Sequence, residues 1–266
     1  MSVAEDYFKF LCYAHENAIR FVEQLKFDKN HAWHLNLVSL YCTIIELAGS
    51  ICVLVKENIC IGIPIILRSA VEADIEFTNL SADRAYGYHM RASQLTEWIK
   101  ILQESVNGVN PFLKDLGDLS ESKEKLLEMK QELSELKSKK YGPLSIFDKF
   151  DKAKLVHVYK SIYNSLCCHS HNNLRSLHSR HVSIDHDKMD FKVELYVPVD
   201  FNDILPYIDI FCGILISATV KIHTILDTKC INEVEKLNDD LVIHRRKLLT
   251  EQPHSLDSHG YRPAHK

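Results

Sequence analysis

The sequence is poor in chain-breaking residues, with 8 Gly and 7 Pro among 266 residues. A fold of many short strands needs more turns than these can supply, so the chain is expected to be mostly helical. It also lacks a strong charge imbalance: 32 Lys and Arg stand against 36 Asp and Glu, a formal net charge of −4. Bulk attraction to nucleic acid or membrane is therefore excluded, and an anion can be held only at a local site. The eight cysteines (Cys12, Cys42, Cys52, Cys60, Cys167, Cys168, Cys212 and Cys230) contain no CxxC pair. Several sit in apolar helical stretches, which predicts free buried thiols and a reducing cytoplasmic setting. Walker A, GxGxxG, GxSxG and HExxH motifs are all missing. The first ten residues carry acidic side chains and no positive region before an apolar core, so they are not read as a signal peptide.

What is present is ordinary for a globular chain: 46% apolar and 26% charged residues. Disordered, collagenous and disulfide-scaffold classes are excluded. The length suits one large domain, here set at residues 1–250. Phe8, Leu11, Cys12, Ala18, Phe21 and Leu25 recur at helical spacing and predict an amphipathic helix over 2–27. A second helix, His31 to Asn58, is apolar on most faces and should be central. Its stretch from Leu35 to Val55 is long enough to raise a membrane span, but Glu46 near its centre would be costly in lipid, so no membrane is expected. Pro64 suits the first turn of a third helix to Leu80. Ser81 to Asp83 can cap a fourth, from Arg84 to Ser105.

Residues 118–140 are rich in Glu, Lys, Ser and Leu, with one apolar stripe: Leu119, Leu126, Met129, Leu133 and Leu136. This predicts a charged helical arm, either leaning on the bundle or gripping a protein partner. One continuous helix is expected over 152–179, then a β-hairpin at about 181–197. Helices over 202–226 and 230–251 follow. Residues 252–266 lack a pattern and are expected to be disordered.

Two constellations could carry chemistry. Arg68 and Glu72 are four apart and share a helix face, and Glu46 interrupts the neighbouring apolar helix. Charges in such apolar company should find one another, as a buried salt-bridge network or as one wall of an active site. The second is a stripe of Asn164, Cys167, His171, Arg175 and His178 on a helix whose core side carries Leu155, Tyr159, Ile162, Leu166 and Leu174. Two imidazoles and a guanidinium on one face suit a phosphate: Arg offers planar donors and His moves a proton near neutral pH. A solvated polar face is the structural alternative. Six histidines between His157 and His186 raise zinc, but their spacing gives no ligand pattern, so no metal or other cofactor is expected.

The stretches Ile66 to Leu80, with Arg68, Ser69 and Glu72, and Ile162 to Asn173, with Tyr163 and His171, resemble domain-of-unknown-function family 5677. That family is similar to the HEPN superfamily of helical ribonuclease and toxin domains. Their arginine-then-histidine signature is matched by Arg175 and His181, with five residues between. On a continuous helix these two would point about 120° apart, so the helix is expected to end or kink between them.

The resemblance implies an all-α, HEPN-like multi-helix bundle with the protruding charged arm and the small hairpin. It implies a metal-independent endoribonuclease of toxin or antiviral-defence type, cytoplasmic and homodimeric, with RNA as substrate. His171, or failing it His181, would take the proton from a ribose 2′-hydroxyl. Arg68 or Arg175 would neutralise the developing phosphorane charge. Glu72 and Glu46 would hold Arg68, and Tyr163 would orient the histidine or the phosphate. The alternatives are a non-enzymatic interaction or scaffold module with a structural Arg–Glu network, and a metal-dependent hydrolase built on the histidines.

Overall fold

Helix α1 (Val3–Val22) buries Tyr7, Leu11, Ala14, Ala18 and Phe21, a repeat of four and three residues that makes one continuous stripe. The structure is a computed structural model, and it describes residues 3–117, 121–171, 173–185, 189–195 and 199–251. The α1 stripe packs on α11 (Phe201–Ile225) and α2 (Ala32–Lys56), the two most apolar helices of the chain. With α3 (Ile63–Ala82) they enclose one core, in which Tyr41, Ile44, Ile51, Leu67, Phe77, Phe211 and Leu215 are fully buried. Each such Leu or Ile is worth about 1.5–3 kcal/mol. By length and composition alone α2 and α11 could each cross a membrane; here both are inner helices of the bundle.

Several polar groups tie the core helices together. The Tyr41 hydroxyl donates to Thr219 Oγ1 at 3.0 Å, and that hydroxyl donates to Leu215 O at 2.7 Å. Asp209 on α11 accepts from the Tyr7 hydroxyl on α1 and from Arg245 Nε at 2.7 Å on α12 (Ile231–Glu251), tying three helices together. Burial and the facing Asp209 carboxylate push the Tyr7 hydroxyl well above its usual range. All eight cysteines are free thiols.

The predicted arm exists. Helix α4 (Tyr86–Asn107) leads through a short turn and α5 (Lys114–Gly117) into α6 (Glu121–Ser138), which lies back along α4. Ala92, Leu95 and Leu102 of α4 and Leu126 of α6 are buried outside the main core, so the arm carries a small core of its own. Met129, Leu133 and Leu136 are half-buried along the same stripe, while Leu119 lies outside the described residues. Arg91 clasps Glu132 through two hydrogen bonds of 2.7 Å. Helix α7 (Ile146–Lys152) opens on a capping box of Ser145 and Asp148 that the sequence reading did not use. It docks on α3 through Lys149 with Glu76, and through Asn79 donating to Lys149 O at 2.9 Å.

The expected continuous helix over 152–179 is a correction. Lys154 takes a left-handed φ of 60°, and the chain restarts as α8 (Val156–Val158) and a π-turn, Tyr159–Tyr163. Then α9 (Asn164–Ser170) ends at His171, and α10 (Leu174–His181) starts under Asn173, whose side chain accepts from the Arg175 amide at 2.9 Å. An Asn in this position supplies the acceptor that the first turn of a helix lacks, so a cap wins over continuation. The break therefore precedes Arg175 and does not fall between Arg175 and His181.

Strands β1 (Val182–Asp185) and β2 (Asp190–Val193) pair antiparallel, with Val182 opposite Val193 and Ile184 opposite Phe191. This is the predicted hairpin; its turn at 186–188, residues 196–197 and the tail at 252–266 lie outside the described residues.

Two buried titratable groups set a pH signature. His223 is fully buried, its Nδ1 lies 2.7 Å from Thr228 Oγ1, its Nε2 has no partner, and burial lowers its pKa to about 4. Asp74 Oδ1 is buried without a partner, and burial raises its carboxyl to about 6 although Lys221 opposes this. For His223 the folded pKa is below the unfolded one, near 6.5, so its stabilisation is present above that value and is lost as pH falls toward 4. Asp74 has the opposite sign: its folded pKa lies above the unfolded 3.8, so stability is lost as pH rises through about 6. Urea midpoints should therefore fall less between pH 7.5 and 5.0 for His223→Gln than for the native chain. Asp74→Asn should raise the midpoint at pH 7.5 by more than at pH 5.0. Equal pH dependence in all three proteins would contradict both assignments.

Candidate functional site

Three of the residues singled out by the sequence meet at one point. The Tyr163 hydroxyl donates to Glu72 Oε1 at 2.7 Å and accepts from Arg68 Nη2 at 3.1 Å, while Arg68 Nη2 also pairs with Glu72 Oε1 at 3.0 Å. Arg68 and Glu72 stand one turn apart on α3, and Tyr163 reaches them from the start of α9. Its ring belongs to an aromatic cluster: it stacks on Tyr159 at 5.6 Å and lies 5.2 Å from Phe150. The π-turn sets this register, since one extra residue per turn rotates the following helix. Burial first, and then the hydrogen bond to Glu72, push the Tyr163 hydroxyl well above its usual range, so it stays protonated as a donor. The hydrogen bond that Arg68 donates to Tyr163, and then the charge of Glu72, raise Arg68, and Cys167 also lies within electrostatic reach.

The network is not sealed. Side-chain exposure is 27% for Arg68 and 39% for Glu72, so one flank of the guanidinium is wet. Arg68 Nε is buried and has no hydrogen-bond partner among the described residues.

The other expected site residues do not join this network. Glu46 is exposed on α2 and makes neither a hydrogen bond nor an ion pair with Arg68. His171 is exposed at the end of α9, and among the described residues its side chain has no hydrogen-bond partner. Arg175 is exposed in the first turn of α10, across the break. His181 is half-buried at the other end of α10, with Nδ1 3.3 Å from Glu194 O. The expected face of Asn164, Cys167, His171, Arg175 and His178 is therefore divided between two helices. Among the described residues no three His, Cys, Asp or Glu side chains form a group able to hold a metal ion.

Beside the network lies a cleft of about 270 Å³. It opens where the turn between α2 and α3 meets the end of α9, the last turns of α10 and the first turns of α11. Its polar lining includes Asn58, His169, Ser179, Arg180, Asp203 and Tyr207, with isoleucines and Pro64 around them. Tyr163 meets α3 at Arg68 and Glu72, and His169 shares the cleft with Cys60 and Pro64, so α9 runs antiparallel to α3. Arg68, Glu72 and Tyr163 do not line the cleft. Arg180 Nη2 donates to His169 O at 2.9 Å, and His169 Nδ1 lies 3.2 Å from the buried Ser176 hydroxyl. Burial and then the Arg180 charge lower the His169 pKa, leaving a neutral imidazole at pH 7.

His169 and Arg180 were not among the candidates drawn from the sequence. The usable signal was Asn173: placing a cap there turns the following eight residues and carries Arg180 back toward α9. The spacing of Asp203 and Tyr207, one turn apart at the start of α11, was a second signal.

If the Tyr163 hydroxyl couples Arg68 to Glu72, the effects of Tyr163→Phe and Glu72→Gln on stability should not add. A double-mutant cycle by urea unfolding should give a coupling of about 0.5–1.5 kcal/mol, at the lower end because the pair is partly solvated. Additivity would contradict the network.

No curated protein and no solved structure matches the chain. A family model matches residues 34–190, a span that contains Arg68, Glu72, Tyr163, the helix break, Arg180 and the hairpin strand β1. With more than half of its length matched, the chain belongs to DUF5677, a family of unknown function.

Proposed function

We propose that the protein is a HEPN-like endoribonuclease working without a metal ion, cytoplasmic, and of the toxin or antiviral-defence type. The observation that carries this reading is the break at His171–Asn173. It leaves His171 and Arg175 exposed on either side of one turn, and among the described residues neither side chain has a hydrogen-bond or ion-pair partner. Residues 155–184 contain no Asp or Glu, while they hold Lys160, Arg175, Arg180 and five histidines. A chain of net charge −4 thus carries a local positive field where an RNA strand would lie.

Distance divides the roles. His171 is eight residues beyond Tyr163, about 12 Å along the helix axis at 1.5 Å per residue. A general base must come within hydrogen-bond reach of its proton, so Arg68, held at Tyr163, does not share one phosphate with His171. In the proposed mechanism His171 takes the proton of a ribose 2′-hydroxyl, which attacks the adjacent phosphorus. Arg175 stabilises the charge that develops on the phosphorane oxygens. Arg68, presented by Glu72 and Tyr163, binds a neighbouring phosphate of the same strand.

One observation favours a second reading, an interaction module. The hairpin face formed by Ile184, Phe191 and Val193 is 60%, 65% and 73% exposed, and a two-stranded ribbon is marginal without a covering layer. In this reading a second copy of the chain supplies the cover.

The two readings are tested separately. A single-stranded RNA of mixed sequence should be cut to a 2′,3′-cyclic phosphate end in the presence of chelator, and its 2′-O-methyl counterpart should stay intact. His171→Ala should slow cutting by at least about 100-fold, the usual contribution of a general base. Cutting that persists unchanged in His171→Ala, or none by the native chain, would reject the enzyme. Sedimentation of the native chain and of Phe191→Asp tests the dimer: a dimer that dissociates in the variant supports it, and a native monomer rejects it.

A further inference from the structure

We propose that the cleft between the α2–α3 turn, α10 and α11 is a binding site for a guanine base, held between apolar walls and read by Arg180 and Asp203. This goes beyond the cleavage reading and stands whether or not the chain cuts RNA.

Two opposite charges share the cleft. Arg180 and Asp203 both line it, and among the described residues no ion pair joins them. Among the described residues Arg180 makes one hydrogen bond, from Nη2 to His169 O at 2.9 Å. The rest of its planar donor fork is free for a ligand. Asp203 sits exposed in the first turn of α11, a carboxylate with acceptor capacity and no partner among the described residues. Tyr207, one turn further on, feels both charges: burial and Asp203 raise its hydroxyl pKa, and Arg180 opposes them. Its ring lines the same cleft as both.

The remaining lining is apolar, with Ile59, Ile61 and Pro64 on one wall and Ile204 on the other. Apolar walls and an aromatic ring favour a planar apolar-faced ligand. The volume of about 270 Å³ falls just below the usual range for drug-sized ligands and suits a single base with its ribose at the mouth.

Among planar groups, the hydrogen-bonding edges select guanine. Its O6 and N7 accept from an arginine fork, and its N1–H and 2-amino group donate to a carboxylate. Adenine offers an amino donor beside N7, where the arginine needs an acceptor, and an unprotonated N1 that would face the carboxylate. A site built to pair a specific edge rejects the wrong one strongly, because its polar groups would be left unpaired. The base could come from a free nucleotide or from a guanosine within a strand, and the recognition chemistry is the same.

Calorimetric titration with guanosine 5′-monophosphate and adenosine 5′-monophosphate tests the base. The guanine nucleotide should bind at least tenfold tighter. Asp203→Asn, at an exposed position, should keep its helical circular dichroism and thermal midpoint while losing that preference. Arg180→Gln should weaken the guanine nucleotide by at least fivefold. Five-residue 2′-O-methyl oligonucleotides, with guanine or adenine flanked by uracils, then separate the sources. Preference for the guanine oligonucleotide places the base in a strand, and preference confined to the mononucleotide places it in a free nucleotide. Equal binding of both bases, no binding of either, or a preference that survives Asp203→Asn would overturn the proposal. These ligands cannot be cleaved, so failure of the cleavage assay does not decide this one.

Discussion

The architecture around the candidate site depends on one hydroxyl. Tyr163 stands at the end of a π-turn, donating to Glu72 and accepting from Arg68. Without that bridge α9 would rest on α3 through few apolar contacts, chiefly the buried Leu166 and the aromatic face of Tyr163 itself. A short helix of this kind has little stability of its own. The bridge fixes both its rotation and its direction, and the antiparallel course of α9 then brings His169 to the α2–α3 turn. The cleft, the break and the placement of α10 all follow from that.

A half-exposed guanidinium with a carboxylate beside it is a compromise between stability and access. Full burial would make the ion pair a structural element with a large desolvation cost. Full exposure would make it nearly worthless as an anchor. At 27% and 39% exposure, Arg68 and Glu72 hold the tyrosine and still leave one flank of the guanidinium open to an anion. The stretch that follows, free of acidic residues from 155 to 184, continues the same electrostatic theme along α9 and α10.

Much of the frame was legible in the sequence because it rests on periodicity. The apolar runs of α2 and α11 mark the inner helices. Of the stripe read for α1, Leu11, Ala18 and Phe21 are buried, while Phe8, Cys12 and Leu25 are half-buried beside Tyr7 and Ala14. Arg68 and Glu72 advertise a partnership by their spacing, and Tyr163 was legible through its pattern with His171. The stripe of the charged arm is present, though it packs on α4 in place of the main core. What stayed hidden depends on local competition between backbone states. Lys154 in a left-handed conformation and Asn173 as a cap each break a helix that hydrophobic spacing alone would continue. Missing those breaks left the cleft residues His169 and Arg180 out of the candidate set. The cleft was harder still, since its lining comes from four separate segments that no spacing rule connects. Glu46 illustrates the converse error: a charge within an apolar helix suggested a buried role, and it lies on the solvent side.

The central claim is that the Tyr163 hydroxyl holds α9, and through it α10, against α3. Amide hydrogen exchange tests this most directly, because it reads local opening segment by segment. In Tyr163→Phe, protection should fall over residues 164–181 while α1, α2 and α11 exchange as in the native chain. Unchanged protection over 164–181, or a uniform loss across all helices, would contradict the account.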